Sequence, residues 1–189
     1  MTDFIIAQAE RGWRRITQEH FEIHAGDHFE ASLVDETMND GEVILFAFKT
    51  PNTDKYIHML TVFSAKVAGH IEILEAGTWS RAQTSVVNIF NNNRNADNLS
   101  GLLQDASQTA FNQGSSLLGS LAALQSLAGT STIFQDYIMA AGASRGGIRR
   151  EADERVLKKD STYVIRFTAD GASNGGFLSL KWYEHKIID

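Results

Sequence analysis

Three histidines near the N-terminus have the residue type and the spacing that could bind a metal ion. His20, His24 and His28 recur at every fourth residue, with acidic residues between them. On a helix this spacing would stack the three imidazoles on one face and make a plausible set of metal ligands. Apolar and polar residues alternate from residue 21 to residue 26, however, and this pattern predicts a strand followed by a turn. The histidines would then be spread along the chain, so we predict no metal site.

A cupin-like metalloenzyme is the enzymatic alternative for these histidines. A cupin motif needs two histidines separated by one residue and followed by a Glu, whereas HAGDHFE spaces its histidines by four. The chain also has no glycine-rich phosphate loop followed by Lys-Ser/Thr and no GxSxG motif. We therefore expect a protein that is not an enzyme, with no catalytic residues and no cofactor.

Two polar segments could bind a partner. In residues 149–155 three arginines are offset by three acidic residues, so the local charge nearly cancels. A salt-bridged loop or a contact between subunits is favoured there over a phosphate site, and Arg149 and Arg150 are candidate partner-binding residues. Residues 91–95 (NNNRN) could bind sugar through their amides, but a turn whose Asn side chains satisfy nearby backbone groups is favoured.

The elements that must position these residues are mostly strands. Alternating or continuous apolar runs recur from residue 21 to the C-terminus, and turns rich in Gly, Asn and Asp separate them. About eight strands at regular spacing predict an all-β fold, an antiparallel β-sandwich and most simply a jelly roll. Residues 18–189 are expected to form this domain.

Residues 99–130 interrupt the strand pattern. Leu117, Leu121, Leu124 and Ala128 recur at the spacing of one helix face, which predicts a short helical insertion. The opposite face carries Ser, Gln, Gly and Ala and no charge, so we expect the three leucines to lie in a contact between subunits. A flexible loop that covers the edge of the sandwich is the alternative.

Residues 1–17 form a separate N-terminal arm in this interpretation. They precede the first predicted strand and show no clean periodicity. Phe4, Ile5, Ile6 and Trp13 are the side chains with which the arm could dock on a partner. The alternative is an arm that folds back onto its own domain.

Composition excludes several classes of protein. The chain of 189 residues has 17 Lys and Arg against 23 Asp and Glu, a formal charge of −6 at pH 7, which disfavours broad nucleic-acid binding. The absence of Cys excludes disulfides, thiol catalysis and Cys-ligated zinc. We find no secretory signal pattern and no apolar stretch of membrane-spanning length, so we expect no membrane partner and synthesis in a cytoplasm.

Five stretches, in this order, resemble a family of virion proteins from tailed phages and prophages. They are QEHFEIHAGDHFE, TPNTDKYIHM, NNNRN, GGIRREADERVLKKDSTYVIRFT and the terminal WYEH. Members of the family are described as capsid accessory, head decoration or cement proteins. The resemblance covers about residues 18–185. Two regions depart from it: residues 1–17, and the unusually long interval between NNNRN and Arg145.

The resemblance implies a structural virion subunit that is not an enzyme. Such a protein would bind the major capsid protein on the capsid exterior and stabilise the lattice, after synthesis in the host cytoplasm. A homotrimer would fit the local three-fold axes of an icosahedral lattice. A receptor- or glycan-binding module on a head fibre or tail is the alternative, for which Trp79 beside Ser80 and Arg81 is the only indication.

Overall fold

Two antiparallel sheets pack face to face as a sandwich, and one short helix accompanies them. The computed structural model describes residues 4–9, 12–80, 86–103, 116–120, 126–138, 144–146 and 154–186. Within these residues the prediction of an all-β sandwich is confirmed. The helix is α1 (Gln18–Ala25). The strands are β1 (Phe4–Ala9), β2 (Gly12–Thr17), β3 (His28–Met38), β4 (Val43–Lys49), β5 (Lys55–Ala65), β6 (Gly69–Glu75), β7 (Thr78–Ser80), β8 (Val86–Asn88), β9 (Phe90–Asn91), β10 (Ser116–Ser120), β11 (Ser126–Ala128), β12 (Ser131–Ile138), β13 (Ser144–Gly146), β14 (Arg155–Leu157), β15 (Thr162–Ala169) and β16 (Asn174–Lys186).

The long strands are divided between the two large sheets. One sheet has the order β12-β6-β15-β4-β10-β8. The other has the order β13-β5-β16-β3-β9, and β14 also pairs with β5. Two smaller antiparallel pairs, β1 with β2 and β7 with β11, complete the pairing among the described residues.

The hydrophobic core lies between the two sheets, because every second residue of the long strands points inward. Phe46 of β4, Phe167 of β15 and Trp182 of β16 are fully buried there. Burial of a large apolar side chain contributes roughly 1.5–3 kcal/mol to the free energy of unfolding. The alternation also sends His58 and Tyr183 to the outer face of their sheet, since their neighbours Met59 and Trp182 face the core.

The continuous apolar run in β4 follows from burial on both faces. Phe46 and its alternate neighbours face the core, whereas Leu45 and Ala47 join Leu74 and Val164 in a second buried cluster on the other face of the sheet. A strand that is buried on both sides has no reason to alternate polar and apolar residues. The predicted strand at this run is confirmed.

The strand predicted from Phe21 to Ala25 is wrong, because residues 18–25 form α1. Gly26, with φ +80°, ends the helix in a Schellman motif: its N–H donates to the carbonyl of Ile23, and the N–H of Asp27 donates to the carbonyl of Glu22. An alternation of only a few residues is too short to distinguish the period of a strand from that of a helix. Gly26 is the stronger local signal, because glycine commonly ends a helix.

The predicted helical insertion is also wrong wherever the structure describes it. Residues 116–120 form β10, which pairs with β4 and β8, and residues 126–128 form β11. Leu117 therefore lies in a strand, opposite Val87. Pairing with the edge of an existing sheet outweighed the helical spacing of the leucines. Leu121 and Leu124 lie outside the described residues.

The predicted N-terminal arm contains a hairpin. Phe4, Ile5 and Ile6 lie in β1, and Trp13 lies in β2 opposite Gln8. Arg149 and Arg150 lie outside the described residues. No helix in the described part of the chain is long and apolar enough to cross a membrane.

Candidate functional site

The sequence motifs meet at one end of the sandwich. The antiparallel register places Tyr183 of WYEH between His58 of β5 and His28 of β3. Segments far apart in the chain therefore share one sheet end, and α1 packs against the same strands β3 and β16. Two polar clusters form there, one on each face of the sheet. We call them the outer cluster (Glu22, His58, Glu154, Tyr183, His185) and the inner cluster (Ser100, Gly101, Trp182, Glu184).

Three stacked rings form the centre of the outer cluster. The ring of His58 lies 4.6 Å from the rings of both Tyr183 and His185, measured between centroids. Glu154 binds two of these side chains: Oε1 accepts the Tyr183 hydroxyl at 2.8 Å and lies 2.6 Å from Nδ1 of His58. The carboxylate precedes β14 and so ties that strand to the centre of the sheet.

Helix α1 contributes a second carboxylate to the outer cluster. Glu22 is 4% exposed, and its Oε1 lies 3.9 Å from Nδ1 of His185. Burial lowers the pKa of His185, and the neighbouring His58 lowers it further. Nε2 of His58 and Nδ1 of His185 are buried and have no hydrogen-bond partner among the described residues. The site therefore favours the neutral form of His185.

A buried carboxylate organises the inner cluster. Oε1 of Glu184 accepts hydrogen bonds from the Ser100 hydroxyl at 2.7 Å, the Gly101 N–H at 2.9 Å and the Trp182 indole N–H at 3.1 Å. Burial nevertheless raises the pKa of Glu184, outweighing the three donors, which favour the charged form. A Cβ atom on Gly101 would lie 2.9 Å from Oε2 of Glu184, so this approach suits glycine.

The loop of residues 91–98, which we call the asparagine loop, anchors the C-terminal end of α1. The side-chain amides of Asn91, Asn93 and Asn98 donate to the carbonyls of Gly26, His24 and Ala25, respectively. These are among the last carbonyls of a helix, which its own backbone cannot satisfy. The prediction that Asn side chains in residues 91–95 satisfy backbone groups is confirmed, and amides used in this way are not offered to a sugar.

The three histidines of the N-terminal motif separate into two environments. His20 and His24 lie on α1 with their Nε2 atoms 3.0 Å apart. His28 lies on β3, is 3% exposed and uses Nδ1 in a hydrogen bond with Asn92. In the part of the chain that the structure describes, no group of three or more His, Cys, Asp or Glu is placed to hold a metal ion.

The partners that give the motif residues their roles do not follow from the sequence pattern. Glu22, Ser100 and Glu154 come from α1, a loop and the residue before β14, and the tertiary packing of these segments brings them to WYEH. The sequence places Glu184 within the WYEH motif without giving it a role. The signal that could have identified it is a carboxylate at a core-facing strand position between aromatic residues.

Hydrogen bonds connect members within each cluster, and Ser100 also accepts from the Leu102 N–H. Neither of the two described surface pockets, one lined by Val34 and Phe177 and the other by Arg94 and Leu99, includes His58, Tyr183 or His185. This arrangement can hold a helix, a loop and two strands together in a fixed geometry. Comparison with protein-family models, curated proteins and solved structures found no match.

Proposed function

We propose that this protein is a structural subunit of a tailed-phage virion, a head decoration or cement protein that is not an enzyme. It would bind the major capsid protein on the exterior of the particle, after synthesis in the host cytoplasm. The resemblance of five sequence motifs to that family suggests the role. The observation that carries the proposal is that residues of those motifs link distant parts of the chain to one another.

The motif residues are engaged in joining distant parts of the chain. WYEH contacts α1 through Glu22, the loop before β10 through Ser100, and the segment before β14 through Glu154. Such links rigidify one end of a sandwich, which is what a subunit needs if it must present a fixed surface to a lattice. The rings of His58, Tyr183 and His185 stack on one another and line neither of the two described surface pockets.

The strand pairing supports a jelly roll as the finer description of the fold. Eight strands pair first with last: β3 with β16, β4 with β15, β5 with β14, and β6 with β12. This nested order is that of one long antiparallel hairpin rolled into two sheets. Jelly rolls occur in viral capsid domains, so the topology is compatible with the proposed role without specifying it.

Binding to particles tests the proposal. Capsids assembled without this protein, from the phage or prophage that encodes it, would be mixed with the purified chain and sedimented. We expect co-sedimentation, density lying flat on the shell by electron microscopy, and DNA release at a higher temperature than from bare particles. Capsids of an unrelated phage serve as the control.

Two results would contradict the cement role. One is failure to bind the matched capsids, and the other is density that projects from the particle or lies on the tail, as expected of a receptor-binding module. Sedimentation equilibrium of the free chain tests the homotrimer separately, since the trimer is inferred from the three-fold axes of an icosahedral lattice.

A further inference from the structure

The histidine pair on α1 is a feature that the proposed assembly role does not use. His20 and His24 stand one helical turn apart, and both are exposed. The prediction of no metal site rests on a strand in this segment. Residues 18–25 are helical, so that reason no longer holds.

The two imidazoles have the separation that two ligands of one metal ion require. Their Nε2 atoms lie 3.0 Å apart, and the rings meet edge to face at 71°. Two imidazole nitrogens, each about 2.05 Å from an ion, are about 2.9 Å apart at a bond angle of 90° and about 3.3 Å apart at the tetrahedral angle. The observed distance falls between these values.

The backbone beneath the pair is held in place from outside the helix. Asn93 donates to the carbonyl of His24 at 3.0 Å, and Asn98 donates to the carbonyl of Ala25 at 3.2 Å. These contacts fix the last turn of α1, on which His24 stands. A site whose ligand positions are already fixed loses less conformational entropy when an ion binds.

We propose that His20 and His24 form a two-histidine site for an exchangeable divalent transition-metal ion. Imidazole nitrogen suits Zn²⁺, Ni²⁺ and Cu²⁺, whereas Mg²⁺ and Ca²⁺ prefer oxygen ligands. Water completes the coordination, because His28 is buried on β3 and engaged with Asn92. Without an ion, the same two nitrogens share one proton in a hydrogen bond.

Titration calorimetry of the full chain with NiCl₂ and with ZnCl₂ tests this site. We expect one ion per chain, no binding of MgCl₂, and loss of detectable binding in both His20→Gln and His24→Gln. The matched control is His70→Gln, which removes a histidine from β6 that contacts Asp170. It should bind as the wild-type chain does. Circular dichroism checks that each variant is folded.

A second measurement uses the wild-type chain alone and does not depend on variants. Added Cu²⁺ should broaden the imidazole proton resonances of His20 and His24 before those of the other four histidines. Absence of binding, binding that survives both substitutions, or broadening centred on other histidines would each overturn the proposal and leave the pair as a hydrogen bond only.

Discussion

At the scale of single residues, Glu184 is the side chain on which most of the inner cluster depends. Glu184→Ala would leave the Ser100 hydroxyl and the Gly101 N–H without their acceptor, and the Trp182 indole N–H with only the Ser100 oxygen at 3.2 Å. An unsatisfied buried polar group costs roughly 1–3 kcal/mol, so we expect the free energy of unfolding to fall by about 3 kcal/mol. Urea denaturation monitored by tryptophan fluorescence measures the change.

Glu184→Gln is the matched control for that substitution. Its amide oxygen can still accept the same hydrogen bonds, and it removes a carboxyl whose pKa burial has raised. We expect a loss of less than about 1 kcal/mol at pH 7. Equal losses for Ala and Gln would mean that the carboxylate charge, and not the acceptor, is what the cluster requires.

His185 makes stability depend on pH in a known direction. Burial lowers its pKa, so its neutral form belongs to the folded state and the unfolded chain binds the proton more readily. The contribution is present above pH 6.5, the usual value for histidine, and is lost as the pH falls through the lowered pKa. His185→Phe keeps a ring for stacking and removes the proton site. We expect its free energy of unfolding to fall less than that of the wild type between pH 7 and pH 5.

The wild-type chain provides the comparison for His185→Phe. If His185→Phe and the wild-type chain lose the same stability on acidification, His185 is not responsible for the effect.

The motif residues could be found in the sequence, but their partners could not. The motifs WYEH and KYIHM can be recognised in the sequence, and the strands that contain them follow from the pattern of apolar residues. The contacts of Glu22 with His185 and of Ser100 with Glu184 join positions more than eighty residues apart in the chain. Such positions come together only through the tertiary packing of a helix and a loop on the sheet, which the pattern of a single sequence does not specify.

At the scale of elements, the junction between α1 and β3 depends on Gly26. This residue has φ +80°, and a Cβ on it would lie 2.5 Å from the Cβ of Ala96 in the asparagine loop. Gly41 in the β3–β4 turn has a similar φ of +78°, but a Cβ on it would meet no other atom within 4 Å. We expect Gly41→Ala to cost about 1 kcal/mol of unfolding free energy for the left-handed backbone alone. Gly26→Ala should cost clearly more, because the loop must also move.

Thermal and urea unfolding of the two variants measure this difference. Equal losses would show that the asparagine loop yields without cost, and that its bonds to the carbonyls of α1 do not stabilise the helix.

Strands buried in the middle of the sandwich were the most predictable elements. β4, β5, β15 and β16 have long apolar or alternating patterns because each is fixed between two neighbours. The errors fell on short segments at the periphery. The α1 segment has too few residues to establish a period, and β10 is a strand because β4 and β8 pair with it on either side, whatever its leucine spacing.

At the scale of the whole molecule, the hairpin β1–β2 is attached differently from the rest of the chain. In the described residues its strands pair with each other and with neither large sheet. Among the residues whose burial the structure describes, which begin at His20 in this part of the chain, the core cluster starts at Phe29. Helix α1 contacts both strands of this hairpin and also packs on β3 and β16, where it places the buried Glu22 beside His185. The boundary that the sequence predicts after residue 17, between an arm and the folded domain, stays a prediction.

Two truncations on either side of this boundary test the division of roles. Removal of residues 1–17 deletes the hairpin with Phe4, Ile5, Ile6 and Trp13 but keeps α1. We expect the melting temperature of the free protein to change little and binding to capsids to weaken. Removal of residues 1–25 also deletes Glu22 and uncovers the outer cluster, so the melting temperature should fall as well. Calorimetry and capsid co-sedimentation separate the two effects. If the shorter truncation already unfolds or aggregates, the hairpin belongs to the folded domain, and its apolar residues stabilise the protein's own fold instead of binding the capsid.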